Sequence, residues 1–432
     1  MSSIAVQRAR APLDAVVRLP GSKSLTNRAL IVAALADGPS RLTGVLLADD
    51  THHMLGALQE LGIEAAVDPD TCVADIRGCA GYLPAGEADL FCGNSGTTMR
   101  FCTALCGLGH GRYRLDGTPR MRQRPIGQLV EVLQLLGAPV RFLDRQGYPP
   151  LEVRGRGLGG GHVAFDSPPS SQLISAILMA APRARGDVMV EVTGQVVSAP
   201  YIRMTLAVLE AFGVSTVDRI NDSGGRFIVP APQPYRGREY AIEPDASNAS
   251  YFLSAAALAG GRVTVEGLGT RSTQGDARFV DVLERMGCRV DRDPNRLTVH
   301  GLATGQTLRG LEIDLNDMPD MVQTLAVLAL FADGPTRIAN VQNLRIKETD
   351  RLSALAYELT NRGATVDERP DGLTIHPPDW VLPGAVNTYD DHRMAMSFAL
   401  AGLAADGIVI NDPECTAKTF PDFFERWRAL TS

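Results

Sequence analysis

Six times along this chain one pattern returns: a short polar cluster, a run rich in alanine and leucine, a glycine, then residues that alternate in polarity. The copies open at Gly21 (GSKSLTNRALIVAALADG), Gly93 (GNSGTTMRFCTALCGLG), Ser170 (SSQLISAILMAA), Asp245 (DASNASYFLSAAALAGG), Asp317 (DMPDMVQTLAVLALFADG) and Tyr389 (YDDHRMAMSFALAGLAADG). Their spacing is roughly seventy to eighty residues, longer than the common solenoid periods. Each opener offers Ser, Thr, Asn or Asp as a helix N-cap, and each run ends near a glycine that can close a helix. The runs are apolar nearly all round, which predicts buried helices. A second segment follows in each copy, such as HHMLGALQELG or LVEVLQLLG, apolar on one side only, and predicts a surface helix followed by strands.

A unit of two helices and several strands, repeated six times, predicts an α/β fold of two domains with three units each. A chain of 432 residues is in any case too long for one core. Counting places the break near residue 240, where PAPQPYRGREY reads as a linker. The expected division is therefore 21–240 for an inserted domain, and 1–20 with 241–432 for a discontinuous one. The opening segment, AVQRARAPLDAVVRLP, would supply a strand to the second. Buried helices running side by side aim their N-termini the same way, each with partial positive charge and unpaired N–H groups. Such ends facing a cleft between the domains would trap anions.

Composition narrows the function. A net charge of -7 argues against a protein that coats nucleic acid. Seven cysteines, an odd count without a CxxC pair, read as reduced thiols, with Cys102 and Cys106 as packing residues one helical turn apart. No segment has the length of a signal peptide's apolar core or of a membrane span, so a cytoplasmic protein is expected.

The cationic residues gather beside helix starts. In LRIKETDR, read as helical, Lys347 and Arg351 lie on one face near Glu348 and Asp350, where like charges call for an anion. Lys23 opposes the dipole at the first helix start, where Ser24 is a candidate cap and Arg28 lies within reach. Asn94, Ser95, Gly96 and Thr97 form a second start, with Gly96 allowing a ligand close to the backbone. Arg120, Arg122 and Arg124 are expected on one side of an extended segment held by Pro125. Ser170, Ser171 and Gln172 are neutral donors at the third start, and Ser198 and Tyr201 follow. Asp320 opens the fifth helix, as a cap or as a base for a substrate hydroxyl. Asp391 and Arg393 open the sixth, and Lys418 precedes the last helix. Two patterns are set aside: GxGxxG from Gly155 to Gly160 leads into a strand rather than a helix, and His52 with His53 begins an amphipathic helix capped by Asp50 or Thr51 rather than a metal site.

Taken together and in order, PGSKSLTNRAL, GNSGTTMR, RMRQRPI, SSQ, VVSAPYI, KETDR, DDHRMAM and CTAKTFPD resemble the EPSP synthase family of enolpyruvyl transferases over essentially the whole chain. The resemblance implies a two-domain inside-out α/β barrel of six βαβαββ repeats, three per domain, with the active site in the interdomain cleft. It also implies the reaction: the enolpyruvyl group of phosphoenolpyruvate passes to the 5-hydroxyl of shikimate 3-phosphate by addition and elimination, on the shikimate pathway to chorismate and the aromatic amino acids. Lys23, Ser24, Arg28, Ser170, Ser171, Gln172, Ser198, Tyr201, Asp320, Asn343 and Lys347 match the family's shikimate 3-phosphate positions. Lys23, Asn94, Gly96, Arg124, Gln172, Arg351, Arg393 and Lys418 match its phosphoenolpyruvate positions. Asp320, Glu348 and Lys23 take the catalytic roles, with no metal or organic cofactor, no nucleic-acid or membrane partner, and a monomer expected. Gly96 is retained, which implies inhibition by glyphosate. The chain departs from the family at Phe101 and Cys102, where Pro and Leu are common, and at Ser95 and Thr98, where Ala is frequent. The related transferase acting on UDP-N-acetylglucosamine carries a cysteine in the loop before its arginine, and GRYRLDGTPRMRQRP has none. A nucleic-acid-end-processing protein on a similar repeat would need a basic surface that the composition lacks.

Overall fold

The computed structural model describes residues 2–303 and 305–431. The chain forms two compact units, Gly21–Ile242 and Met1–Pro20 with Glu243–Ser432, here the inserted and the split unit.

In the inserted unit α1 (Lys23–Leu35), α3 (Gly96–Leu108) and α5 (Ser171–Ala180) pack against one another. Their partners in the repeat are α2 (Asp49–Glu60), α4 (Gly127–Leu135) and α6 (Ala199–Ala211). In the split unit α7 (Ala246–Ala259), α9 (Val322–Leu328) and α11 (His392–Ala404) pack together, accompanied by α8 (Phe279–Arg285), α10 (Arg351–Asn361) and α12 (Phe423–Thr431). Every residue of α3 is buried, as is α1 from Leu25 onward, which is what a run apolar on all sides requires. The second helix of each repeat buries one stripe: α10 hides Leu352, Leu355 and Leu359 and leaves Tyr357 exposed.

Around each helix trio stand sheets with one wet face. Glu87–Phe91 alternates exposed and buried residues, so its inner face meets the helices and its outer face meets water. It lies parallel to Arg112–Asp116, which is followed antiparallel by Leu151–Arg154 and Val140–Phe142, the order a βαβαββ unit generates. Gly161–Asp166, Val188–Thr193, Gly224–Val229 and Val217–Asn221 repeat it. Helices inside and sheets outside give the inside-out α/β arrangement.

One expectation needs correction. The stretch read as a linker is strand in part: Tyr235–Arg236 pairs with Ala36–Asp37, and Glu239–Ala241 runs parallel to Arg41–Thr43. The main chain satisfies its hydrogen bonds there, and the crossing falls at Ile242–Glu243 instead. The opening segment supplies the strand expected of it, and a further strand precedes it. Leu13–Arg18 lies parallel to Gly261–Glu266, while Ser3–Ala5 pairs antiparallel with Ile408–Asn411 and completes the three-stranded sheet of the sixth repeat. At the first crossing, a Cβ on Gly21 would strike the Gly44 carbonyl, so only glycine fits that approach.

Among the described residues no helix is long and apolar enough to cross a membrane, and no group of three or more His, Cys, Asp or Glu could hold a metal ion. His53 instead meets the edge of Phe91, with ring centroids 5.8 Å apart. All seven cysteines are free thiols, and burial pushes Cys102 up to about 12, as befits a packing residue.

Candidate functional site

In the inserted unit the starts of α1, α3 and α5 are neighbours. Ser22, Ser95 and Ser170 cap them, each hydroxyl accepting from a backbone N–H two or three residues on. Ser22 is thus the cap of α1, and Ser24, one candidate for that role, lies inside the first turn. Asn27 Nδ2 donates to Thr97 Oγ1 at 2.6 Å, tying α1 to α3. The Lys23 ammonium stands 3.3 Å from Asp50 Oδ2, a buried carboxylate at the start of α2. Neither candidate cap of α2 holds that position: the N-cap is Ala48, Asp50 lies inside the first turn, and the Thr51 hydroxyl, at the third helical position, accepts from the Ala48 N–H.

Gly96 lies beneath a guanidinium. A Cβ built on it would come within 2.5 Å of Arg124 Nη2 and 2.9 Å of Gln172 Oε1. Arg124 is buried and donates through Nη1 to the Asn94 carbonyl at 2.9 Å. The three arginines around it do not share a side. Met121–Gln123 is one turn of 3-10 helix, which turns Arg122 out to Asp116 at 2.7 Å and sets Arg120 on Gln123. Of these three, Arg124 faces Gly96, where Arg100 also donates to the Gly96 carbonyl at 3.2 Å.

Arg28, fully buried on α1, donates to Thr205 Oγ1 at 2.7 Å, to the Tyr201 and Ser24 carbonyls at 3.0 Å, and to Ser175 Oγ at 3.3 Å. Its guanidinium carbon sits 5.3 Å from the centre of the Phe101 ring. Every partner among the described residues is neutral, and burial lowers the Arg28 pKa to about 10. Ser198 caps nothing with its hydroxyl but holds a left-handed backbone, φ 56°, at the start of α6, whose first turn carries Tyr201.

The split unit gathers a different set. Arg351, buried, meets three carboxylates: Asp391 at 2.7 Å, Asp320 at 3.0 Å and Glu348 at 3.0 Å. Arg393 Nη2 reaches the other Asp320 oxygen at 2.8 Å, and its Nη1 donates to the Tyr251 hydroxyl at 3.3 Å. Lys347 stands 4.0 Å from Asp320. Asp391 caps α11, accepting from the Arg393 N–H at 2.9 Å. Lys418 is buried at the end of the turn Pro413–Lys418 and counters the burial that raises the Asp390 pKa. Asn343 is buried in the 3-10 turn Gln342–Ile346.

The sequence matches the family described as EPSP synthase (3-phosphoshikimate 1-carboxyvinyltransferase) over residues 7–427. A curated 3-phosphoshikimate 1-carboxyvinyltransferase from Nostoc punctiforme is 47% identical over 99% of each chain, and one from Sulfurovum is 47% identical over 100% of each. The chain belongs to the EPSP synthase family. Its fold agrees: EPSP synthase from Acinetobacter baumannii superposes with a TM-score of 0.81 at 26% identity, over 100% of this chain and 98% of that one. The enolpyruvyl transferase NikO from Streptomyces tendae has the same fold, with a TM-score of 0.78 at 19% identity.

Against the family pattern, Lys23, Asn94, Gly96, Arg124 and Gln172 meet at the helix starts of the inserted unit, and Asp320, Lys347, Glu348, Arg351 and Arg393 meet in the split unit. One expectation fails in its geometry. Lys347 and Arg351 do not share a helix face, because the 3-10 turn stops at Ile346 and α10 starts only after its cap Asp350. Arg351 is not left unpaired either. Sequence reasoning missed Ser175, Thr205, Tyr251 and the pairing role of Asp50. Two of these carried a signal: Ser175 follows Ser171, and Thr205 follows Tyr201, by four residues, one helical turn on the same face.

Proposed function

We propose that this chain transfers the enolpyruvyl group of phosphoenolpyruvate to the 5-hydroxyl of shikimate 3-phosphate. The observation that carries the reading is Arg28, a buried cation whose partners among the described residues are all neutral. A buried charge is costly unless paired, and a dianionic phosphate is the partner that would repay it. Arg28 with Ser24, Ser170, Ser171, Gln172, Ser198, Tyr201, Asn343 and Lys347 would hold shikimate 3-phosphate. Lys23, Asn94, Gly96, Arg124, Gln172, Arg351, Arg393 and Lys418 would hold phosphoenolpyruvate, the arginines meeting its phosphate and carboxylate in pairs of hydrogen bonds.

In the addition step the substrate 5-oxygen bonds to C2 of phosphoenolpyruvate, its proton passes to Asp320, and C3 gains a proton from Lys23 or Glu348. In the elimination step C3 returns that proton, the C2–O bond to phosphate breaks, and phosphate leaves with the electron pair. The cations would stabilise the charge that builds on the departing phosphate. Glyphosate is expected to compete with phosphoenolpyruvate, and the protein to act as a cytoplasmic monomer.

Phosphate release with shikimate 3-phosphate, set against UDP-N-acetylglucosamine as acceptor, tests the reaction. Asp320→Asn should lower kcat by about 10²–10⁴ while KM changes little. Normal turnover at saturation would remove Asp320 from the base role.

A further inference from the structure

Helix α10 begins with Arg351 and carries Glu358 seven residues later, two turns on along the same face. Both side chains grip one short segment. Arg351 holds Asp391 at its end. Glu358 Oε1 accepts from the Tyr389 hydroxyl at 2.8 Å and from the Asn387 N–H and side-chain amide at 3.3 Å at its beginning. Between the grips the chain is strained: Tyr389 and Asp390 have φ of 57° and 55°, the left-handed region that bulky side chains avoid. Two such residues in succession persist only where their surroundings over-determine them.

Glu358 has no exposed surface, and its second oxygen has no hydrogen-bond partner among the described residues. Its charge is opposed by Arg362, one turn further along, whose own Nε and Nη1 are unbonded. A buried carboxylate kept under such conditions calls for a reason beyond stability. Burial and the adjacent Glu358 both raise the Tyr389 pKa, so the hydroxyl remains a donor.

We infer that Glu358 and Tyr389 are positioning residues for the phosphoenolpyruvate side of the site: their hydrogen bond holds the left-handed turn that sets Asp391 as the cap of α11 and thereby aims Arg393. The inference rests on the assignment of Arg393 to phosphoenolpyruvate. Tyr389→Phe removes one oxygen and keeps the ring. In the full chain it should raise KM for phosphoenolpyruvate about tenfold, with KM for shikimate 3-phosphate and the melting temperature unchanged. Glu358→Ala should reproduce that one-sided rise. Arg393→Lys, measured beside them, separates the two failures. If Arg393→Lys raises KM for phosphoenolpyruvate and Tyr389→Phe does not, the positioning inference falls and the assignment stands. If Arg393→Lys has no effect, the assignment itself falls. If Tyr389→Phe raises both KM values together with a drop in melting temperature, the hydrogen bond is merely structural and the inference is overturned.

Discussion

The two units place a buried arginine at corresponding depth and treat it in opposite ways. Arg28 is surrounded by two hydroxyls, two carbonyls and an aromatic ring, whereas Arg351 is clamped by Asp320, Glu348 and Asp391. Neighbouring carboxylates raise the Arg351 pKa although burial opposes them, while burial lowers that of Arg28 to about 10. The inserted unit therefore fixes this cation with hydrogen bonds to neutral groups, and no carboxylate among the described residues answers its charge. The split unit answers its charge internally and uses the cation as a hub that orients three carboxylates.

Removing the two charges should then have unequal consequences for folding. Arg351→Met leaves Asp391, Glu348 and Asp320 together without their shared counter-charge, and breaking a buried pair in this way costs about 3–5 kcal/mol. Chemical denaturation should register that loss as a lower midpoint. Stability equal to the parent's would mean that Arg393 and Lys347 already neutralise the cluster, and the comparison would lose one side.

Arg28→Met should cost far less. A pKa lowered to about 10 corresponds to a charge-burial cost of about 3 kcal/mol, of which the contact with Phe101 returns a part. Met relieves that cost but forfeits four hydrogen bonds at about 1 kcal/mol each, so the ligand-free variant should stay within about 1–2 kcal/mol of the parent, while losing the stabilisation that shikimate 3-phosphate confers on the parent. The sign with pH follows from protons bound. Between about pH 10 and the ordinary arginine value the unfolded chain holds a proton that folded Arg28 has lost, so the penalty is complete below about pH 10 and fades above it. An Arg28→Met variant destabilised as much as Arg351→Met would place Arg28 in the same class as Arg351.

The contrast also explains what the sequence could and could not tell. Six repeats, buried helices and polar openers were legible because periodicity and capping are local, and Ser95, Ser170, Asp245 and Asp391 are caps in the structure. The pairing of Arg351 was not, because Asp320 and Asp391 lie 31 and 40 residues away and only tertiary packing unites them. Lys347 was misread through a helical period that the turn before Asp350 interrupts. Arg122 was misread as extended because Pro125 was given more weight than Asp116, which captures it. Strands in the stretch from Pro230 to Tyr240 escaped because turn-rich composition says nothing about partners some two hundred residues earlier.

A tightly packed site should respond to a single methyl group, and Gly96 is where that is sharpest. Gly96→Ala would put Cβ within 2.5 Å of Arg124 Nη2 and 2.9 Å of Gln172 Oε1, both ends of flexible side chains, so the helix need not move but the guanidinium must. The backbone there is not left-handed, and replacing glycine in a helix gains up to about 1 kcal/mol, so stability should change by no more than that. A misplacement of Arg124 on the ångström scale nevertheless suffices to raise KM for phosphoenolpyruvate about tenfold. Glyphosate inhibition should weaken at least as much, since the inhibitor gains nothing from the displaced guanidinium. Steady-state kinetics beside a melting curve reads both quantities. A Gly96→Ala enzyme with unchanged KM and unchanged inhibition would mean that Arg124 has room to retreat without loss.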